Sequence, residues 1–406
     1  MSFVELLSEA LRAIRAHALR SFLTLLGIII GVSTIVGVVS VIAGLNGYVQ
    51  EKVIVLAPDV WVLTKFGIIR GRDEFLLALK RKDIDWYEYT RLSQLLTETS
   101  AIAAQATSSA GVKHGDKRLP DIQVFGTTAN YPQLFNVDLA AGRYFLDAEA
   151  RASQALAVIG WDVKDELFPH VDPIGREITV DGRPARVIGL VAQQGRTLGQ
   201  SQDNRVYVPI QLHRQWFGSR QSLDLLLRAK AGVPGVDRSI DEARTVLRAL
   251  RHTSFKALDP FGVVTNQALQ TLWVQISSAA FVMMFLISAV SLGVGGIVIM
   301  NIMFVSVLER TAEIGLRKAV GAEERDIRRQ FVLEAALLSF TGGILGAAIG
   351  GGLALFIKHG LDFPAQLSPR IMLLGLALSV AVGVAAGYWP ARNASRLNAI
   401  EALRAE

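Results

Sequence analysis

Cysteine is absent from all 406 residues, and charged residues are absent from one long stretch of the chain. Without cysteine there is no disulfide bond and no thiolate metal site, so any soluble part must be stabilised by its own core. The stretch 260–308 contains no Lys, Arg, Asp or Glu. Because about 20 apolar residues are enough to cross a bilayer, this stretch indicates a membrane-spanning segment.

Three catalytic sequence motifs are also missing. A nucleotide-binding P-loop requires a Gly-Lys dipeptide, and the chain has none. None of the six histidines is followed by Glu, as in the His-Glu-x-x-His zinc motif, and no Gly-x-Ser-x-Gly nucleophile elbow occurs. We therefore expect no catalytic residue, no metal site and no cofactor in this chain, and no ATP hydrolysis through a P-loop.

The composition is that of a membrane protein that carries a soluble domain. Apolar residues make up 51% of the chain, and its mean hydropathy is +0.37. Residues 46–270 contain 28 of the 42 basic and 25 of the 36 acidic side chains. The net charge of +6 is spread over this domain and the membrane flanks, without the compact basic and aromatic patch of a nucleic-acid-binding surface. We therefore expect no nucleic-acid partner.

Four membrane spans are predicted, in the segments 21–45, 272–307, 331–357 and 371–391. The first is too long for the apolar core of a signal peptide and is expected to be retained. It follows a segment, 1–20, whose apolar residues recur at helical spacing and predict an amphipathic helix along the membrane interface.

Basic residues set the expected orientation. Lys and Arg number three in 1–20, six in 308–330 and three after Ala391, against two in the short loop 358–370. This bias predicts a multi-pass membrane protein with both termini cytoplasmic. The segments 308–330 and 392–406 would then lie inside, and the loop 358–370 and the domain 46–270 outside.

Glycines at four-residue spacing predict close packing between the spans, because small residues let helix backbones approach in lipid. The glycines concerned are Gly27, Gly31, Gly342, Gly346, Gly350, Gly383 and Gly387.

The sequence of the outer domain, 46–270, predicts an α+β fold of two lobes. Strands are expected near 59–64, 101–113, 119–126, 155–160, 177–180, 185–192, 205–209 and 222–228, and helices near 83–97, 161–168, 209–217 and 236–251. Tight hairpins are expected at 114–116 and 181–182.

Two groups of acidic residues leave alternatives open. Asp83, Asp85 and Glu88 form either a cation site or, more simply, a helix start with Asp83 as its cap. Glu334 lies close to a span interior, so it is either a proton-relay residue or an acid at the cytoplasmic interface.

The stretch 309–322 follows directly on the charge-free segment and predicts a short helix. Glu313 and Arg317 are four residues apart in the order that favours a helical ion pair, and Gly321 can end the helix in the left-handed conformation. One face would carry Ile314, Leu316 and Val320.

This stretch, E-R-T-A-E-I-G-L-R-K-A-V-G-A, resembles the cytoplasmic coupling segment of MacB-like and FtsX-like ABC-transporter permeases. The resemblance extends to blocks of the outer domain, such as GTTANYPQLFNVDLAAGRYF and DPIGREITVDGRPARVIGLV, to the first span, and to the tail PARNASRLNAIEALR, where Ala399 replaces a usual proline. It implies a membrane α-helical fold of four transmembrane helices with an inserted α+β extracytoplasmic domain of the MacB-like periplasmic core type.

The resemblance also implies an interface with an ATPase. The matching residues are Glu309, Arg310, Glu313, Ile314, Gly315, Leu316, Arg317, Lys318, Gly321 and Ala322. The implied function is a permease, acting as a homodimer, that transmits movement from a separate ABC ATPase subunit, which holds ATP and Mg²⁺, to the extracytoplasmic domain for export. A periplasmic adaptor and an outer-membrane channel are further implied partners, besides membrane lipids. The implied location is the bacterial plasma (inner) membrane. The alternatives are an FtsX-like regulator of an extracytoplasmic partner such as a cell-wall hydrolase, and a membrane enzyme.

Overall fold

A computed structural model describes residues 18–50, 56–135, 137–197, 200–254, 256–360, 363–398 and 402. The chain forms two compact units, which we call the outer unit (Gln50–Leu272) and the membrane unit (Met1–Val49 with Trp273–Glu406). The amphipathic helix predicted for 1–20 falls, as far as residue 17, outside the described residues. So does Ala399, the residue that departs from the resembled tail.

The outer unit is built on one ten-stranded mixed sheet. Its strands run in the order β12-β1-β11-β2-β3-β10-β5-β7-β4, and β6 pairs with both β2 and β7. The pairs β3–β10 and β5–β7 are parallel, and the others are antiparallel. The strands of this sheet are Val60–Thr64 (β1), Thr99–His114 (β2), Lys117–Thr127 (β3), Leu139–Gly142 (β4), Leu156–Ile159 (β5), Glu177–Val180 (β6), Arg183–Val191 (β7), Arg205–Pro209 (β10), Asp224–Ala229 (β11) and Gly262–Thr265 (β12).

Helices cover this sheet, and a separate pair of short strands lies beside them. The helices are Arg72–Leu79 (α2), Trp86–Leu95 (α3), Tyr131–Phe135 (α4), Asp147–Arg151 (α5), Trp161–Leu167 (α6), Ile210–Phe217 (α7) and Val236–Leu250 (α8), and the short strands are Arg196–Thr197 (β8) and Gln200–Ser201 (β9). The eight predicted strands and four predicted helices are confirmed, whereas α2, α4, α5, β4 and β12 were not predicted.

Both predicted hairpins are confirmed. Gly115 and Asp116 connect β2 to β3, and Asp181 and Gly182 connect β6 to β7. At the second turn φ is +48° for Asp181 and +83° for Gly182, the pair of positive values that a two-residue type I′ turn requires.

One sheet runs through the whole outer unit, so the two predicted lobes would share a continuous sheet. Its core is nevertheless divided into clusters. Trp61 packs with Leu92 and Leu247 in one cluster, and Ile122 packs with Val187 in another. The long strands β2 and β3 contribute residues to more than one cluster and so hold them in one body.

The acidic cluster at the start of α3 is a helix start, but its cap is Asp85 and not the predicted Asp83. The Asp85 side chain accepts a hydrogen bond from the Glu88 backbone N–H at 2.9 Å, and Asp83 pairs with Lys65 instead. Glu88 receives two hydrogen bonds of 2.7 Å from Arg251, so the carboxylates of this cluster are committed to structure.

Among the described residues, four helices are long and apolar enough to cross a bilayer: Ala18–Tyr48 (α1), Asn266–Glu309 (α9), Glu324–Gly360 (α11) and Pro369–Ser395 (α12). The second predicted span lies within α9, which starts only at Asn266 because 262–265 form strand β12. At 1.5 Å per residue, the 44 residues of α9 span about 66 Å.

Glycines mark the closest helix contacts in the membrane unit. A Cβ atom placed on Gly350 would lie 2.6 Å from the Ser33 carbonyl oxygen, and one placed on Gly27 would lie 2.7 Å from Gly295 Cα. The predicted glycines and the residues they face are Gly27 with Gly295, Gly31 with Leu292, Gly342 with Ile28, Gly346 with Ile29, Gly350 with Ser33, Gly383 with Ser339 and Gly387 with Ala335. The sequence pattern did not predict the packing of Gly295, because no glycine stands four residues before or after it in the sequence.

Candidate functional site

The stretch 309–322 forms a short helix between two long ones. The short helix is Thr311–Ala319 (α10). It follows α9, which ends at Glu309, and Arg310 alone forms the turn between them. Gly321, with φ of +102°, ends α10 as predicted. The Gly321 N–H donates to the Lys318 carbonyl and the Ala322 N–H to the Arg317 carbonyl, both at 3.0 Å, which is the pattern of a Schellman cap.

Arg317 connects α10 to α11. Its Nη2 donates to Glu313 Oε1 at 2.6 Å, which confirms the predicted ion pair along the helix. Its Nη1 donates to Gln330 Oε1 on α11, also at 2.6 Å. The guanidinium therefore links the two helices.

Lys318 connects α10 to the chain beyond α12. Its Nζ donates to the backbone carbonyl oxygen of Leu397 at 2.8 Å. Arg310, in the turn before α10, lies 3.6 Å from Glu334 on α11. The pairing with Arg310 places Glu334 in a charged contact at this end of α11, and the side chain is mostly buried.

The apolar residues of α10 occupy two sides of the helix, so the predicted single face of Ile314, Leu316 and Val320 is wrong. Ile314 is 3% exposed and packs in one cluster with Ile327 and Phe331, and Gly315 is also buried. Leu316 and Val320 are 58% and 83% exposed. The cause is spacing: residues four apart lie on the same side of a helix, whereas residues two apart do not.

A groove of about 660 Å³ runs beside the exposed side of α10. Leu316, Val320 and Ile327 supply its apolar lining, and Arg317 and Asp326 add charge. The groove combines exposed apolar side chains with charged side chains, the combination that protein interfaces use for affinity and orientation.

Sequence reasoning missed the residues that hold α10 in place. Gln330 and Leu397 were not singled out, because their contacts join positions 13 and 79 residues apart. Glu309 and Ala322, which were singled out, flank the helix at its two ends. Within the part of the chain that the structure describes, no three His, Asp or Glu residues converge as metal ligands.

Two family models match the chain. Residues 21–243 match the MacB-like periplasmic core domain, and residues 285–399 match the FtsX-like permease C-terminal domain. The second match includes α10, the whole of α11 and the part of α9 from residue 285 onward.

Curated relatives match along almost the whole chain. The chain is 33% identical over 414 residues to a macrolide export ATP-binding/permease protein MacB of Bdellovibrio bacteriovorus, covering 99% of this chain and 62% of the relative. It is 35% identical to a MacB 1/2 protein of Paracoccus denitrificans, covering 98% and 58% respectively. The chain therefore spans about three-fifths of the length of these relatives.

Among solved structures, the periplasmic region of MacB from Actinobacillus actinomycetemcomitans covers 55% of this chain and 95% of its own, with a TM-score of 0.45 and 16% identity. The family-model matches, with the first of them covering more than half of the chain, decide the assignment. This chain belongs to the MacB-like family of ABC-exporter permeases, membrane proteins with a MacB-like periplasmic core domain and an FtsX-like permease domain.

Proposed function

We propose that this chain is the permease unit of an ATP-driven exporter and that α10 is the docking site for a nucleotide-binding ATPase. The observation that carries the proposal is the division of α10 into two sides. Ile314, Arg317 and Lys318 attach one side to the membrane unit, whereas Leu316 and Val320 remain exposed beside the 660 Å³ groove. A helix attached on one side and exposed on the other can receive a force and pass it on.

The mechanism follows from these attachments. When the ATPase closes on ATP and Mg²⁺, it displaces α10. Arg317 transmits the displacement to α11 through Gln330, and Lys318 transmits it to the end of α12 through the Leu397 carbonyl. The turn at Arg310 transmits it to α9, whose 44 residues carry the movement across the bilayer toward the outer domain.

The partners are part of this proposal. These 406 residues contain no Gly-Lys dipeptide of a P-loop, so they do not include the nucleotide-binding site of the proposed ATPase. The permease acts as a homodimer with both termini in the cytoplasm, and an adaptor and an outer-membrane channel are further expected partners. The six basic residues of 308–330 support a cytoplasmic position for α10.

Export is favoured over the FtsX-like regulatory role by the outer domain. The MacB-like periplasmic core model matches 21–243, and relatives that match over nearly the whole chain are named as export proteins. An FtsX-like regulator would share only the permease domain with the exporter that we propose.

The test places a charge on the exposed side of α10. Leu316→Asp and Val320→Asp are purified with the wild type from native membranes, and vanadate-sensitive ATP hydrolysis is measured in the eluate. We expect both variants to lose most of the associated ATPase activity, because a carboxylate in an apolar contact is costly. Leu258→Asp, at a leucine of the outer unit that is 74% exposed, is the matched control and should retain the activity. Full activity with both α10 variants would disprove the proposed docking site.

A further inference from the structure

An apolar groove of about 400 Å³ lies between three helices of the membrane unit, away from α10. Ile35 and Val38 of α1, Met284 and Phe285 of α9 and Leu374 of α12 contribute to its lining. The residues of α9 that line it extend from Phe281 to Ser288, which corresponds to about 10 Å along that helix.

The hydroxyl groups in the groove are used within their own helices. Thr34 donates to the Ile30 carbonyl at 2.8 Å, and Ser288 donates to the Met284 carbonyl at 2.9 Å. The groove therefore presents hydrocarbon to an occupant along its length.

One charged residue, Arg370, lines the groove at the first turn of α12. It is exposed, and no hydrogen bond or ion pair joins its side chain to another described residue. Arg370 is also the only charged residue between 363 and 391. The helix dipole disfavours a cation at a helix N-terminus, so contacts within α12 do not explain why an arginine occupies this position.

Arg370 lies at the same end of the membrane unit as the C-terminal part of α1. The loop before it is attached to α1 by the Gln366 N–H, which donates to the Ser40 carbonyl at 2.9 Å. Ser40 precedes the end of α1 at Tyr48, where the chain leaves the membrane unit. The guanidinium and the exposed N-terminus of α12 both favour an anion at this end of the groove.

We propose that this groove binds an anionic phospholipid of the surrounding bilayer, with an acyl chain in the groove and its phosphate on Arg370. The apolar runs of α1, α9 and α12 contain no Asp or Glu, so these helices of a second copy offer no carboxylate to the guanidinium. The bilayer supplies both the hydrocarbon and the negative charge. The lipid site is independent of whether α10 binds an ATPase.

Native mass spectrometry of the full chain, purified from bilayers of phosphatidylglycerol in a phosphatidylcholine background, tests the proposal. We expect phosphatidylglycerol to remain bound to the wild type. Arg370→Gln should lower its retention on the order of tenfold, as for loss of one hydrogen bond to a charged group. Lys358→Gln is the matched control. Lys358 is a basic residue in the last turn of α11, shortly before Arg370 in the chain, but it does not line the groove.

Filling the groove tests the position of the acyl chain. Val38→Phe should remove bound phospholipid, whereas Val290→Phe, on the exposed surface of α9 and outside the groove, should retain it. Equal losses in Arg370→Gln and Lys358→Gln would overturn the proposal, as would unchanged retention in Val38→Phe. A change of oligomeric state in Val38→Phe with unchanged lipid would identify the groove as an interface between copies and would also overturn it.

Discussion

Lys318 of α10 donates a hydrogen bond from Nζ to the backbone carbonyl of Leu397, 79 positions later in the chain, at 2.8 Å. With the contact from Arg317 to Gln330, it ties a nine-residue helix to α11 and to the chain just beyond α12. An isolated helix of this length is marginal in water, so α10 depends on these attachments and on the burial of Ile314.

We predict that Lys318→Met loosens α10. The variant loses a charged hydrogen bond, which at this partly exposed position is worth about 1 kcal/mol, and backbone amides of 311–319 should exchange several-fold faster. Hydrogen exchange followed by mass spectrometry measures this effect. Arg325→Met, at an exposed arginine of the neighbouring helix, is the control and should leave α10 unchanged. Unaltered exchange in Lys318→Met would show that this hydrogen bond does not hold α10.

We predict that the Glu88–Arg251 pair is needed for a stable outer unit. The two side chains are 2% and 5% exposed and share two hydrogen bonds of 2.7 Å. Arg251→Met should lower the free energy of unfolding by about 3 kcal/mol, because the buried carboxylate of Glu88 loses its two short hydrogen bonds and keeps only the more distant Lys82, at 3.6 Å, as a charged neighbour. The double variant with Glu88→Gln should be less destabilised than the sum of the single variants, as urea unfolding would show. Additive losses would mean that the pair is not coupled.

We predict that His213 makes the outer unit sensitive to acid. The imidazole is fully buried, and burial lowers the pKa of His213 from 6.5 to about 4. Between these pH values the unfolded chain binds a proton that the folded chain does not, so stability falls as pH falls from about 6.5 to about 4, by at most about 3 kcal/mol.

The measurement for His213 is thermal unfolding as a function of pH. His213→Phe removes the titrating group, so part of the loss of stability below pH 6.5 should disappear. His170→Phe, at an exposed histidine of the same unit, should keep the pH profile of the wild type. Identical profiles for His213→Phe and the wild type would refute the assignment.

We predict opposite effects for two glycines of α11. A Cβ atom on Gly350 would lie 2.6 Å from the Ser33 carbonyl oxygen, so Gly350→Ala should force α1 and α11 apart and lower the thermal unfolding midpoint. A Cβ atom on Gly352 meets no atom within 4 Å, so Gly352→Ala should be neutral or stabilising by up to about 1 kcal/mol through helix propensity. Equal midpoints would argue against close packing at Gly350.

Local patterns predicted the features that depend on neighbouring residues. The Glu313–Arg317 pair, the end of α10 at Gly321 and the turn at Asp181–Gly182 each follow from the conformational preferences of adjacent or nearly adjacent residues. The cap at Asp85 was missed because Asp83 offers the same chemistry two positions earlier, and only the packing of α3 distinguishes them.

Features that depend on distant residues could not be read from the sequence. Strand β12 lies at the start of the charge-free stretch, and only its pairing with β1 separates it from the helix that follows. The direction of Ile314 into the core, away from Leu316, is set by packing against Ile327 and Phe331. The same applies to Gln330 and Leu397, whose roles arise from the arrangement of three helices.

The pairing of β1 with β12 also brings the first and the last strand of the outer unit side by side. Trp61, in the first strand of that unit, lies opposite Thr265, the last residue of its final strand. Adjacent strands are about 5 Å apart, and the Asn266 side chain donates a hydrogen bond to the Leu56 carbonyl, so the chain segments before β1 and after β12 lie side by side. A module with such neighbouring ends can be exchanged, enlarged or shortened during evolution without moving the helices it connects.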